Sequence, residues 1–488
     1  MKDSKSIHIS GESEILISYG RHTPWFNLAA AWSYEDAMSQ KSTTGNHWSS
    51  TENNSNNAWN VNFSNGNTNN NNKNNSYTVR PSVAHESEEW KALRKTMQIA
   101  FADCCRGKAS SSQAQEYIRI AGEDLDVLTD EVFTYTYQPG TSTCFLVKYP
   151  KWREVFAAAF RDRIIHHWIC LRLEPLFERR CVYQHNVTHN CRKGFGTKTA
   201  VEAVYNGIKY VTNNYQKEAW IFKGDLVGFF MTIIKKRLCD KLLSFIHHRY
   251  HKKDKELLMW LTAVVVMHHP ERNCVFNSPP ENWKNLPAKK SLFRCEPGRG
   301  TPIGNLTTQQ FANFYMTEFD GWIQKELKMS GCKWSYNRFV DDFIVVCDDK
   351  ELLLSMIDKM DAKLSDMGLF LHKNKRYIQP AKHGVKFVGT YIHNGRLYLS
   401  NRTLARFQEK VYGFSQYLRR PENEITIAEL EHIWETVNSY LGFCKGRKTF
   451  WIRREILWDF AHEHQKYFTH NRHWTKIKLR KKYRTIYK

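Results

Sequence analysis

Phe339-Val340-Asp341-Asp342-Phe343-Ile344-Val345-Val346 places two adjacent carboxylates inside a run of apolar, β-type residues. Trp334 to Val340 and Phe343 to Cys347 read as two strands, so the acids mark the tip of a hairpin. Charge beside buried strands is costly unless it is paired or bound to metal. A turn alone also accommodates Asp. The metal reading gains over the turn from Asp225, a third acid at the end of the short apolar strand Trp220-Ile221-Phe222. Adjacent strands of one sheet bring such carboxylates together. The cluster favours two Mg²⁺ ions about 3.5–4 Å apart, one activating an attacking hydroxyl and one neutralising a leaving pyrophosphate. Asp348-Asp349 needs no such explanation, because it stands just before a helix, where acids cap and complement the dipole.

Outward from the hairpin, strands and helices alternate. Val227 to Phe245 predicts a helix, with apolar residues at Phe230, Ile234, Leu238, Leu242 and Phe245. After Gly304, the residues Phe311, Tyr315, Phe319, Ile323 and Leu327 recur every fourth position and predict a long amphipathic helix. Another helix runs from Asp348-Asp349 through Met367, and Lys386 to Leu399 reads as a second hairpin turning at Asn394-Gly395. Strand, helix, hairpin and helix make an α+β layer of the ferredoxin-like kind. Past Ser400 the pattern is helical: Leu404, Phe407, Val411, Phe414 and Leu418 mark one stripe, and a capping box of Thr426 with Glu429 opens the next. The last stretch, His470 to Lys488, interleaves Lys and Arg with aromatics and reads equally as a nucleic-acid-contacting tail or a solvated basic end.

The chain has 488 residues, enough for about three domains. Lys+Arg 72 against Asp+Glu 49 leaves a net charge of +23, an excess that calls for a polyanionic partner, nucleic acid first. A membrane is not expected as partner, since the longest apolar run, Leu257 to Met267, falls short of the roughly 18 residues a spanning helix needs and reads as a core helix. The N-terminus lacks an apolar signal core and the cysteines are scattered without CxxC spacing, so a cytoplasmic setting is expected. Residues 46 to 75 are about half Asn, too poor in apolar groups to offset chain entropy. Trp48, Trp59, Val61, Phe63, Tyr77 and Val79 are nonetheless spaced through that tract, and Asn65-Gly66 is placed as a hairpin turn.

An Asp-centred strand followed five residues later by an aromatic, then a glycine heading a helix, then an apolar-x-Asp-Asp hairpin, resembles motifs A, B and C of reverse transcriptases. The resemblance implies that Asp225, Asp341 and Asp342 are catalytic and, with Leu226, metal-binding, the metals being two Mg²⁺ ions for which Mn²⁺ can substitute. It makes Phe230 an aromatic steric gate that collides with a ribose 2′-OH. It makes Arg153, assisted by Lys148, the holder of the incoming dNTP triphosphate, a task suited to a planar fork. Phe339 departs from the usual Tyr and keeps only the ring. The implied fold is a right-hand polymerase: an extension over 1–85, unstructured and Asn-rich; fingers over 86–217; a ferredoxin-like palm over 218–400, with the motif B region at 286–327; and over 401–488 a helical thumb with a basic C-terminal tail.

Leu286-Pro287-Ala288-Lys289-Lys290-Ser291-Leu292-Phe293, followed by Gly300 to Gln309, is similar to the motif B hallmark of reverse transcriptases from diversity-generating retroelements, in the group II intron-like superfamily. Most other reverse transcriptases have Gln in the place of Ile303 and Ser-Pro in the place of Thr308-Gln309. The resemblance places Ile303, Gly304, Thr308 and Gln309 beside the nucleotide. Phe160 to His167 and Cys191 to Thr197 look like the same group's fingers motifs, with Arg192 and Lys193 as nucleic-acid contacts. The implied reaction copies a template-repeat RNA into cDNA, with errors at adenines, for a bacterial or phage-encoded element. The implied partners are the RNA, the cDNA primer and product, and an accessory variability protein, a basic pentamer. The segment Asn46 to Pro81 resembles a lectin-type variable region read in frame, as though the reading frame ran through a template repeat; an ordinary low-complexity linker is the plain alternative.

A group II intron-type or retron-type enzyme is the nearest alternative, and Ile303 with the Gly304 to Gln309 block argues against both. A lectin-like display protein is the rival of another class, and residues 46 to 81 are too few for a lectin domain. Cys181, His185, His189 and Cys191 have a spacing that fits no common zinc site. The doublets His166-His167, His247-His248 and His268-His269 read as packing or backbone-contact residues.

Overall fold

The computed structural model describes residues 87–106, 112–148 and 151–483, preceded by the backbone of six short strands. The chain divides into two compact units, residues 1–90 and 91–488. In the first, Asn57–Asn62 pairs antiparallel with Thr68–Asn72 on either side of Asn65-Gly66, as the hairpin reading requires. Apart from the six strands, residues 1–85, on which the expectation of disorder falls, lie outside the described residues.

The second unit opens with helices α1 (Glu88–Cys105) and α2 (Ser112–Phe133), an antiparallel pair β1 (Ser142–Val147) and β2 (Arg153–Ala157), and helices α3 (Phe160–Tyr183) and α4 (Thr197–Val211). After β3 (Trp220–Gly224), the expected helix from Val227 to Phe245 is broken. Gly228 has φ +53, a single turn covers Phe229–Thr232, and Ile234 forms an extended bridge to Arg299 before α5 (Lys235–Arg249) begins. Thr232, Ile233 and Ile234 are β-branched, and pairing with the Arg299 segment outweighs their place in the helical period. Leu257 to Met267 falls in α6 (Lys255–Met267), a core helix burying Leu258, Leu261 and Val266. No helix among the described residues is long and apolar enough to cross a membrane.

Strand β4 (Cys274–Phe276) then pairs parallel with β1 and completes a three-stranded sheet, so a piece of chain beyond residue 218 joins strands that lie before it in the sequence. Next come α7 (Leu306–Met329), the hairpin β5 (Trp334–Phe339) and β6 (Asp342–Cys347), α8 (Lys350–Asp366) and β7 (Tyr377–Pro380). The sheet order is β5-β6-β3-β7, all antiparallel, with α7 and α8 as the two crossovers. This is the ferredoxin-like arrangement. Both faces are covered: Phe343 meets Phe319 of α7, while Ile221, Ile344 and Val346 pack against Val201, Val204 and Ile208 of α4. Burial on two faces is why β6 reads as a continuous apolar run rather than an alternating one.

The second hairpin is a three-stranded meander, β8 (Val385–Phe387), β9 (Thr390–His393) and β10 (Arg396–Leu399), because Val388-Gly389 makes a second tight turn with positive φ at both positions. Helices α9 (Asn401–Leu418), α10 (Ile427–Cys444) and α11 (Phe450–Glu463) form the thumb core, and Thr426 and Glu429 exchange both capping-box bonds. The basic end is not a tail through Tyr483. Strands β11 (Phe468–His470) and β12 (Ile477–Leu479) form a hairpin that buries Trp474, Ile477 and Leu479 in the thumb core, because apolar residues alternate with the cations there.

Candidate active site

The acidic hairpin closes with Phe339 opposite Asp342, leaving Val340 and Asp341 as its loop. Val340 has φ +58, a left-handed conformation that is a true outlier for a β-branched residue. Such strain, roughly 1–3 kcal/mol, persists only where surroundings over-determine it. Here the Val340 N–H donates to Asn190 Oδ1 (2.9 Å) and its carbonyl accepts from Arg338 Nη1 (2.9 Å). Arg338 is wholly buried and forks onto Asp320, Nε to Oδ1 at 2.8 Å and Nη2 to Oδ2 at 2.7 Å. Tyr336 also donates to Asp320, and Asn313 Oδ1 accepts from both Arg338 and Thr188.

Phe343 faces Gly224 across β6 and β3, so Asp342 and Asp225 occupy the next positions along adjacent strands. The Asp225 carbonyl accepts from His372 N–H (2.8 Å) and Val227 N–H donates to Phe370 (2.9 Å), around a bridge between Leu226 and Leu371. That bridge does not use the Leu226 carbonyl. Burial first, then the charges of Asp342 and Asp225, push the Asp341 carboxyl up to about 6, while Arg153 pulls the other way. Carboxylates that repel one another in this way are hard oxygen donors suited to a divalent cation. Lys223 Nζ stands 3.8 Å from Asp342 Oδ1. The three acids are a looser set than Cys332, Cys347 and Asp348, whose ligating atoms all lie within 4.8 Å of one another at the far end of the hairpin. There Asp348 accepts from Lys333 N–H and Cys347 sulfur from Asp349 N–H, bonds that close the strand ends.

Arg153 begins β2, exposed and paired with Val147; Lys148, also exposed, has its Nζ 5.9 Å from the Trp152 ring centre. The next residue, Glu154, is fully buried and accepts from Leu292 N–H (2.6 Å), Ser291 Oγ (2.8 Å) and Trp283 Nε1 (3.3 Å). Burial raises its pKa against those three bonds. The strand carrying Arg153 is thereby tied to the Leu286–Phe293 block. The tie continues at Phe156, whose N–H donates to the Ile303 carbonyl at 2.8 Å. Gly304 has φ +133, and a Cβ there would lie 2.6 Å from the Phe156 carbonyl oxygen, so no other residue fits. Phe230 and Ile303 rest on one apolar cluster of Cys144, Phe156, Met231 and Leu292. The Phe230 carbonyl accepts from both the N–H and the hydroxyl of Thr301, and Phe230 is half-buried whereas Phe229 is 3% exposed. Thr308 is buried in the first turn of α7; Gln309 is exposed, with its Oε1 3.8 Å from Cys191 Sγ.

Arg192 departs from the expected nucleic-acid contact. Its guanidinium forks onto Glu178 (2.9 and 2.6 Å), donates to the Thr188 carbonyl and lies 3.7 Å over Phe195, which leaves the side chain 3% exposed. Lys193 is exposed and pairs with Glu174. His189 lies between Thr199 and Asn337, and Cys181 is buried. His166 meets Thr307 Oγ1 at 2.5 Å, and burial drives its pKa down to about 3, which fits a packing role. Asn190, Asp320, Arg338 and Glu154 were not legible as site residues. The available signals were an arginine inside a buried strand, three residues before the acids, and a glutamate in the apolar strand beside Arg153.

No curated protein matches the chain. Among solved structures, apo telomerase from Candida tropicalis is similar over 67% of this chain at 12% identity, with a TM-score of 0.40, and the chain covers 59% of that protein. Telomerase from Candida albicans, in complex with a TWJ fragment of telomeric RNA, is similar over 68% of this chain at 14% identity, with a TM-score of 0.40 and 57% of its own length covered. Residues 147–392, just over half of the chain and including Asp225, Phe230, Ile303, Asp341 and Asp342, match the family described as Reverse transcriptase (RNA-dependent DNA polymerase). The chain belongs to the reverse transcriptase family.

Proposed function

We propose that this polymerase copies a template-repeat RNA into cDNA with errors at adenines, for the mutagenic retrohoming of a diversity-generating retroelement. The observation that carries the reading is the setting of Ile303: its side chain packs on the cluster that also supports Phe230, and its carbonyl is bonded to Phe156 of the strand that carries Arg153. An apolar side chain is thus built in where Gln would offer a polar contact. A site lacking such a contact discriminates less between correct and incorrect pairs, and each 1.4 kcal/mol of lost discrimination is about a tenfold rise in error.

In this reading Asp225, Asp341 and Asp342, with the Leu226 carbonyl, hold two Mg²⁺ ions. Bound there, the ions supply activation of the primer hydroxyl and charge neutralisation on pyrophosphate. Arg153 and Lys148 hold the triphosphate, Phe230 excludes a ribose 2′-OH, and Gly304, Thr308 and Gln309 line the approach to the base. The protein works in the cytoplasm of a bacterium or phage-infected cell, alongside a basic accessory protein. Primer extension on an adenine-containing RNA, followed by cDNA sequencing, tests the reading. Wild type should misincorporate mainly opposite adenine, and Ile303→Gln should lower that rate at identical nucleotide concentrations. An active Ile303→Gln enzyme with an unchanged adenine error rate would refute the role of Ile303, and a wild type equally accurate at all four bases would refute the retroelement reading.

A further inference from the structure

The last thumb helix, α11, carries an exposed aromatic ladder that the polymerase site does not use. Trp451 is 70% exposed and Trp458 is 42% exposed, although an indole is normally buried or partnered. They stand seven residues apart, two turns of one helix face and about 10 Å along the axis. Arg454 lies between them, 5.6 Å from the Trp451 ring centre and 4.6 Å from that of Trp458. His462 extends the same stripe, its ring 4.3 Å from Trp458. The surroundings are strongly cationic: residues 445–482 hold 12 Lys and Arg against 3 Asp and Glu.

We infer that this face is a stacking platform for single-stranded nucleic acid, the template or the growing strand beyond the paired region. Bases present a π-face to any exposed indole whatever their sequence, and a cation held between two rings meets the backbone between stacked bases. The charge balance argues against a basic protein as occupant. Glu455 and Asp459 project from one flank of the stripe, so the phosphates run along the other, on the Arg454 side.

The test uses the full chain and primer–template duplexes with either a blunt end or a 12-nucleotide single-stranded overhang, of RNA or of DNA, with binding followed by fluorescence anisotropy. Wild type should bind the overhang form more tightly than the blunt one. Trp451→Ala and Trp458→Ala should each cut that overhang-dependent gain about tenfold and leave blunt-duplex affinity unchanged. Trp458→Phe, which keeps a ring, should retain most of the gain and so separates stacking from misfolding. Arg454→Ala should lower the salt dependence of the overhang term by about one charge. A loss with both overhangs assigns the platform to either strand, and a loss with one names the strand it takes. An unchanged overhang gain in the Trp451→Ala/Trp458→Ala double variant overturns the proposal, and the same result accompanied by loss of self-association would make the face a protein contact instead.

Discussion

Asp320→Asn tests the support beneath the acidic hairpin. Asp320 and Arg338 are both wholly buried, and Asp320 accepts two bonds from the guanidinium and one from Tyr336. Removing the carboxylate charge leaves Arg338 in the interior with only neutral acceptors, Val340 and Asn313. Breaking a buried pair from one side costs about 3–5 kcal/mol, a large part of a total stability of roughly 5–15 kcal/mol. The double variant Asp320→Leu/Arg338→Met removes both charges, and apolar replacement of a buried pair is often neutral or better, so stability should return to within about 1–2 kcal/mol of wild type. Activity should not return. Without the Arg338 bond to its carbonyl, Val340 relaxes from φ +58, and the carboxylates beside it shift. A displacement of about 1 Å at a reacting centre is worth about a hundredfold in rate. Urea unfolding measures the first quantity, and single-turnover dNTP addition measures the second. Unfolding of Asp320→Asn within about 1 kcal/mol of wild type would refute the energetic argument; a double variant adding nucleotides at the wild-type rate would refute the positioning argument.

Asp341→Asn should abolish Mg²⁺-dependent primer extension and leave RNA binding largely intact, since phosphate contacts are spread over many cations; substantial extension by the purified variant would remove Asp341 from the metal set. Phe230→Ala should admit ribonucleotides by opening the space beside the sugar, read as the ratio of dNTP to rNTP incorporation, and an unchanged ratio would make Phe230 a packing residue only. In metal-free protein Asp341 titrates at about 6 when folded, against about 3.9 unfolded, so the folded state holds the extra proton between these values. Its contribution to stability therefore falls as pH rises from about 4 to about 6 and is level above. The difference in Tm between wild type and Asp341→Asn should follow that window in EDTA and flatten in saturating Mg²⁺; a difference independent of pH in EDTA would contradict it.

Period and polarity along the chain were sufficient for the palm. Alternating apolar runs around Asp341-Asp342, the fourfold spacing from Phe311 to Leu327 and the Thr426–Glu429 box are local signals, and local hydrogen bonding and one-sided burial act on them directly. The three acids stand out in the sequence for the same reason, because each borders an apolar strand. The broken helix after Gly228 was not legible, since its stop is the Ile234–Arg299 bridge, a pairing between segments 65 residues apart. Nor was the folded basic hairpin at residues 468–479, where the cations dominate composition and Trp474, Ile477 and Leu479 become a core only against α10 and α11. The buried polar groups mark the sharpest divide. Arg192 reads as a cation offered to nucleic acid, and Arg338 and Glu154 draw no assignment from the sequence. Whether a charged side chain meets water, phosphate or a buried partner depends on which distant groups converge on it, here Glu178, Asp320 and the Ser291–Leu292 turn. Desolvation makes that convergence obligatory once the groups are buried, and only the tertiary structure decides it.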